Sequence, residues 1–120
     1  RLNHATVVDN TYSTNPLGFR EMTKTAYSLK GNKVLVTPGI VELGAREKKI
    51  HEKLGHISEQ VFDKIVLVGK NNRTNSFLRG ISDKTKVEFV EDNRVYSDLV
   101  EKLSKKYAWI FLENEVTQNY

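Results

Sequence analysis

The chain has 120 residues, 38% of them hydrophobic and 28% charged, with a net charge of +4 and a pI near 9.3. That length buries one core but not two, no stretch has the apolar run of a membrane span, and the absence of cysteine excludes a disulfide scaffold and a thiolate metal site. The positive charge is interleaved with Glu, as in Arg46-Glu47-Lys48-Lys49 and Glu101-Lys102, which marks solvated helix faces, so neither a nucleic acid nor a membrane is an expected partner.

Residues 5–9 are apolar enough for a first strand. Asn15-Pro16 then suits a helix entrance, because an Asn N-cap bonds free backbone N–H groups and Pro at the first helical position has no N–H to leave unpaired. Phe19, Met22, Ala26 and Leu29 follow at three- and four-residue steps, one face of an amphipathic helix, and Gly31-Asn32 is expected to close it. Residues 33–37 (Lys-Val-Leu-Val-Thr) form a second strand ended by Pro38-Gly39. A second helix is expected over residues 45–61, with Ile50, Leu54, Ile57 and Val61 as its core stripe and Gly55 packed closely on the sheet. Residues 64–68 contain a continuous Ile-Val-Leu-Val, as a parallel strand covered on both faces requires.

Gly69 ends that strand, and a short helix over residues 74–79 closes at Gly80. Residues 87–90, flanked by acids, read as a strand nearer an edge. Asn93 is expected to cap a last helix with Val95, Leu99 and Leu103 facing inward, and residues 107–112 are the last strand before a polar tail. Strands alternating with helices make right-handed crossovers. The expected fold is therefore α/β, one doubly wound, mostly parallel, Rossmann-like sheet of about five or six strands with helices on both faces, over residues 1–120 as a single domain.

Several familiar signatures are absent. Gly39 and Gly44 have the glycine separation of a P-loop, but Ala45-Arg46 stands where Lys-Ser/Thr is required, so the ammonium for the outer phosphates and the hydroxyl for magnesium are missing. No G-x-G-x-x-G follows a strand. His51 and His56 are five apart and do not share a helix face, so they make no metal pair. No Ser stands in a nucleophile elbow, and Asn72-Arg73-Thr74 matches a glycosylation acceptor without a secretory segment to give it meaning. What remains is a set of polar loops at strand ends, residues 9–15, 37–44, 69–72 and 113–114, which a doubly wound sheet gathers at one edge. From chemistry alone that rim is either one wall of a site shared with another domain or a modest binding module.

Asp9-Asn10-Thr11-Tyr12-Ser13-Thr14-Asn15-Pro16 resembles the D-D-S-Y-N-A-N-P loop that opens the C-terminal domain of Mur ligases. Val41-Glu42-Leu43-Gly44, followed by His51 and Gly55, is similar to the family's M-L-E-L-G…H…G segment after its second strand. The nearest branch is the MurF type, which adds D-alanyl-D-alanine, and the resemblance covers nearly the whole chain. Such enzymes join an amino acid or dipeptide to a UDP-linked muramyl peptide: ATP phosphorylates a carboxylate and the incoming amine attacks the acyl phosphate. The resemblance implies a cytoplasmic ligase of peptidoglycan precursor synthesis that uses ATP and Mg2+. Its P-loop, metal ligands and modified lysine lie in a central ATPase domain outside this chain. The C-terminal domain is then excised from a larger three-domain enzyme, holds no catalytic residue or metal of its own, and is inactive alone. The chain's opening, Arg1-Leu2-Asn3-His4 with Met22 the only methionine, fits such a piece.

By motif position Asp9, Asn10, Tyr12 and Asn15 are the nucleotide-binding candidates, and Glu42 and Gly39 the substrate-binding ones. Carboxylates suit the first place because they accept hydrogen bonds from ribose hydroxyls. Asn10 stands where the family usually has a second Asp, Thr37-Pro38-Gly39 replaces the usual Gly-Asp, and the tail lacks a G-S-R-type segment. Each residue also has a plainer role: Asp9 as a turn cap, Asn15 as a helix cap, Glu42 as a loop-positioning group, His51 as a structural or solvated side chain, Trp109 as core, Lys70 as a surface lysine. The competing functions are a stand-alone doubly wound binding module, or a Mur-like ligase acting on an acceptor outside the cell wall.

Overall fold

A computed structural model describes residues 5–10, 15–91 and 96–113, the side chains of residues 96 and 97 excepted. Five strands, β1 (Thr6–Asn10), β2 (Lys33–Thr37), β3 (Lys64–Val68), β4 (Val87–Val90) and β5 (Trp109–Glu113), alternate with four α-helices. The helices are α1 (Pro16–Ser28), α2 (Glu47–Val61), α3 (Asn72–Arg79) and α4 (Tyr96–Ser104), and short 3₁₀ turns at Gly44–Arg46 and Lys84–Lys86 precede α2 and β4. The sheet order is β1-β5-β2-β3-β4, and every pairing is parallel.

The chain steps in one direction from β1 to β4 and then returns to insert β5 between β1 and β2. Right-handed crossovers put the connecting helix on one face for one direction and on the opposite face for the other. Side-chain alternation along the strands then divides the core in two. Leu35, Ile65, Leu67 and Phe111 pack with Phe19, Met22 and Ala26 of α1, Leu54 of α2 and Phe77 of α3. Val34, Val36, Val66, Val68, Ile110 and Leu112 pack with Leu99, Val100 and Leu103 of α4. The expected doubly wound α/β fold is the one found, and β4 is the edge strand its flanking acids indicated.

Three expectations change. The buried residues of α2 are His51, Leu54, Gly55 and Ser58, so its inward face is turned from the expected stripe, and Ile50 and Val61 only flank the core. The cause is α3. A Cβ on Gly55 would lie 2.0 Å from the Phe77 carbonyl oxygen, and one on Gly80 would lie 1.9 Å from that of Glu52. The two helices thus meet backbone to backbone through one glycine each, and Gly55 serves α3 and not the sheet. At the end of α1 the cap is Leu29, whose N–H bonds the Ala26 carbonyl. Gly31, at φ +105°, belongs instead to the turn into β2, against Ala108 and Trp109. Trp109 itself is half-buried, its ring tilted against Phe111 and its Nε1 donating to the Lys30 carbonyl at 2.8 Å. The expected cap Asn93 and the core candidate Val95 lie outside the described residues.

Candidate functional site at the carboxyl edge

Because all strands run parallel, Asn10, Thr37, Val68, Val90 and Glu113 end them at one edge. Asp9, near the end of β1, and the loop after β2 that carries Glu42 therefore lie on the same side of the sheet, where open α/β sheets hold ligands.

The first loop starts from β1. Asp9 is exposed at the next-to-last position of the strand, and Asn10 is still in it, paired in register with Glu113 of β5. The Asn10 side-chain amide donates to both carboxylate oxygens of Glu113, at 2.9 and 3.0 Å. Tyr12 lies outside the described residues. Asn15 is the N-cap of α1: its Oδ1 accepts the Gly18 N–H at 2.7 Å, with Pro16 at the first helical position. Its plainer role is thus occupied in full view.

The second loop follows β2 and is held from two helices. Pro38, Gly39 and Ile40 are buried. The Ile40 N–H donates to His51 Nε2 at 3.0 Å, while His51 Nδ1 lies 2.6 Å from the Glu47 carbonyl oxygen. Arg73 of α3 donates through Nε to the Pro38 carbonyl at 3.4 Å, and the Thr37 hydroxyl accepts from the Gly39 N–H at 3.1 Å. Gly39 is required twice over: its φ is +85°, and a Cβ there would come within 2.9 Å of His51 Nε2. Glu42 is exposed, with φ +65°, the only described residue other than glycine in that region. Such backbone costs on the order of 1–3 kcal/mol and persists where the surroundings impose it. Burial pushes the His51 imidazole below the usual histidine range, against the Glu47 carbonyl and charge, which favour the cation; Arg73 adds to the lowering.

The third loop spends its polar groups on itself. Asn71 and Thr74 form a reciprocal capping box at the start of α3, and the Thr74 hydroxyl donates to the Gly69 carbonyl. Lys70 Nζ sits 5.6 Å from the centre of the Phe89 ring. Beside these loops a cavity of about 330 Å³ opens between α2 and α3, lined by Gly44, Lys48, Asn72, Asn75 and Arg79 among others. A larger groove of about 770 Å³ runs between α1 and α2, past Pro16, Arg20, Arg46, Lys49 and Ile57. Among the described residues no group of three or more His, Asp or Glu is placed to hold a metal ion, and no helix is long and apolar enough to cross a membrane.

The edge brings Asp9, Asn10, Asn15, Gly39 and Glu42 to one side of the sheet, together with Glu113, which the sequence put on the rim without a binding role. Its signal is an acid ending the otherwise apolar run Trp-Ile-Phe-Leu-Glu, and its side chain is fully buried.

No family model and no curated protein matches the sequence. Solved structures do. Crystal structure II of MurF from Acinetobacter baumannii superposes with a TM-score of 0.68 at 26% identity, over 88% of this chain and 24% of that one. Crystal structure I of the same protein gives 0.66, also at 26% identity, over 88% of this chain and 23% of that one. The domain is MurF-like. It has the architecture of a Mur ligase C-terminal domain, and the chain spans about a quarter of the length of the MurF structures it matches. The backbone likeness points to the same family as the two loop motifs do.

Proposed function

We propose that this chain is the C-terminal domain of an ATP-dependent amide ligase of the Mur family, which closes over ATP and helps bind an incoming amino acid or dipeptide in peptidoglycan precursor synthesis. The observation that carries the reading is the likeness to MurF over 88% of the chain, with Asp9 at the end of β1 and Glu42 in the loop after β2 at one sheet edge. In this reading the partners are a central ATPase domain of the same polypeptide and a UDP-linked muramyl peptide, in the cytoplasm.

The residues present fit part of that task. The exposed Asp9 carboxylate suits the ribose hydroxyls, which are donors in need of acceptors. Asn10 is committed to Glu113 through its NH2 group, so its contribution is to hold the end of β1 in place beside Asp9. Glu42 offers a carboxylate to the ammonium end of an amine substrate, and the buried Pro38-Gly39-Ile40 backbone fixes where it stands. Proximity of a bound amine to an activated carbonyl is the main catalytic gain available to such a wall. In this reading Mg2+ and most phosphate contacts belong to the central domain, a division that the lack of a P-loop Lys-Ser/Thr in the sequence supports. Magnesium, when bound there, supplies charge neutralisation for phosphoryl transfer.

The test is steady-state kinetics of the longer ligase that carries this chain. Asp9→Ala should raise KM for ATP about tenfold, the value of one charge-assisted hydrogen bond, and Glu42→Gln should raise KM for the amine and leave that for ATP unchanged. No change in either parameter would refute the assignment.

A further inference from the structure

We propose that His51 is a positioning residue: as a neutral imidazole protonated on Nδ1 it holds residues 38–43 in the shape that presents Glu42, and a second proton on the ring releases that loop. The link to Glu42 rests on the reading of this loop as the wall for the amine substrate, while the latch itself does not.

Both ring nitrogens are assigned by their partners. A carbonyl oxygen only accepts, so Nδ1, 2.6 Å from the Glu47 oxygen, carries the proton. The Ile40 N–H only donates, so Nε2, 3.0 Å away, offers its lone pair. A proton on Nε2 would set two donors face to face. The Ile40 amide would then lose its acceptor in a place where Ile40 is 1% exposed and His51 fully buried, and a buried N–H without a partner is strongly disfavoured. The backbone beside it has little slack, since a Cβ on Gly39 would come within 2.9 Å of the ring.

The groups that act on the ring come from two helices. Glu47 of α2 favours its cation through carbonyl and charge; Arg73 of α3 disfavours it, and burial opposes it most. Arg73 also bonds the Pro38 carbonyl, so one end of the loop is tied to α3 and its middle to His51. Glu42 stands two residues past Ile40 in left-handed backbone. Side chains relax from that region when nothing imposes it, so opening the His51 contact frees Glu42 to leave the conformation that defines its position.

The experiment is a pH titration, from about 8 to 5, of the 15N-labelled chain. Ring nitrogen shifts should show the Nδ1–H form, and the amides of Gly39, Ile40 and Glu42 should move together with the His51 midpoint. His51→Gln, which keeps an acceptor for Ile40, should leave the loop amides at their high-pH positions throughout. His51→Leu should displace them at every pH while the amides of β2 and β3 stay in place. An Nε2–H ring, or loop amides indifferent to the His51 titration, would overturn the latch. In the longer ligase KM for the amine should rise several-fold as His51 protonates and lose that dependence in His51→Gln. A latch that titrates without that rise would leave His51 as found and refute instead the substrate role given to the loop.

Discussion

Asn10 and Glu113 meet across two neighbouring parallel strands, the amide of one donating to both oxygens of the other's buried carboxylate. The pair explains why an amide stands where Mur ligases usually have a second Asp. An Asp here would face Glu113 directly, and two carboxylates in one site cannot both ionise without cost. Asn10→Asp should therefore destabilise the chain by about 1–3 kcal/mol at pH 7. Urea titration at pH 7 and pH 4.5 checks it, because the penalty should shrink as one of the two acids takes a proton.

Gly55 sits mid-helix, where intrinsic propensity favours Ala by about 1 kcal/mol. The Phe77 carbonyl oxygen occupies the space of any Cβ. Gly55→Ala should nevertheless destabilise, by about 3 kcal/mol or more, since backbone must move on α3. A thermal melt reads the sign directly.

Asn15 bonds the Gly18 N–H ahead of Pro16, so Asn15→Ala should cost about 1 kcal/mol and Asn15→Asp close to nothing. If capping is its whole task, Asn15→Asp also leaves KM for ATP unchanged in the longer ligase proposed to carry this chain; a change there would give Asn15 a ligand contact as well.

The His51 imidazole is held below the usual histidine range chiefly by burial. The unfolded chain then binds the proton more readily than the folded one, so stability rises with pH across the interval between the two values. This contribution is fully present above about 6.5, the unfolded value, and is lost as pH falls from there through the lowered native one. Urea midpoints at pH 7.5 and 5.5 should differ in that direction, and the difference should diminish in His51→Gln.

The sequence made some levels of this structure plain and hid others. Strands β2, β3 and β4 were legible because short apolar runs between turn residues have few alternatives, and the Asn15-Pro16 helix start because its capping chemistry is local. The inward face of α2 was not, because the stripe of Ile50, Leu54, Ile57 and Val61 assumes a helix lying on a sheet. Here Gly55 meets α3 and Ser58 is buried, and small residues carry no apolar signal. The insertion of β5 between β1 and β2 is a long-range pairing that no local pattern encodes. At the candidate site, the place of Asp9 and Glu42 at the carboxyl edge was legible from the strand–loop pattern, whereas the Asn10–Glu113 pair joins residues 103 apart in the chain, and the His51 contact to Ile40 depends on how the loop folds back on α2.

The claim on which the account rests is that this chain supplies one wall of a nucleotide site whose phosphate contacts lie elsewhere. Titrating ATP into the 15N-labelled chain tests it most directly. The account predicts shifts confined to the carboxyl edge, at Asp9, Asn10, Asn15, Gly39 and Glu42, with affinity no tighter than about millimolar and no turnover. Shifts centred on the opposite edge, around Gly31 and Trp109, or ligation by this chain alone, would contradict it.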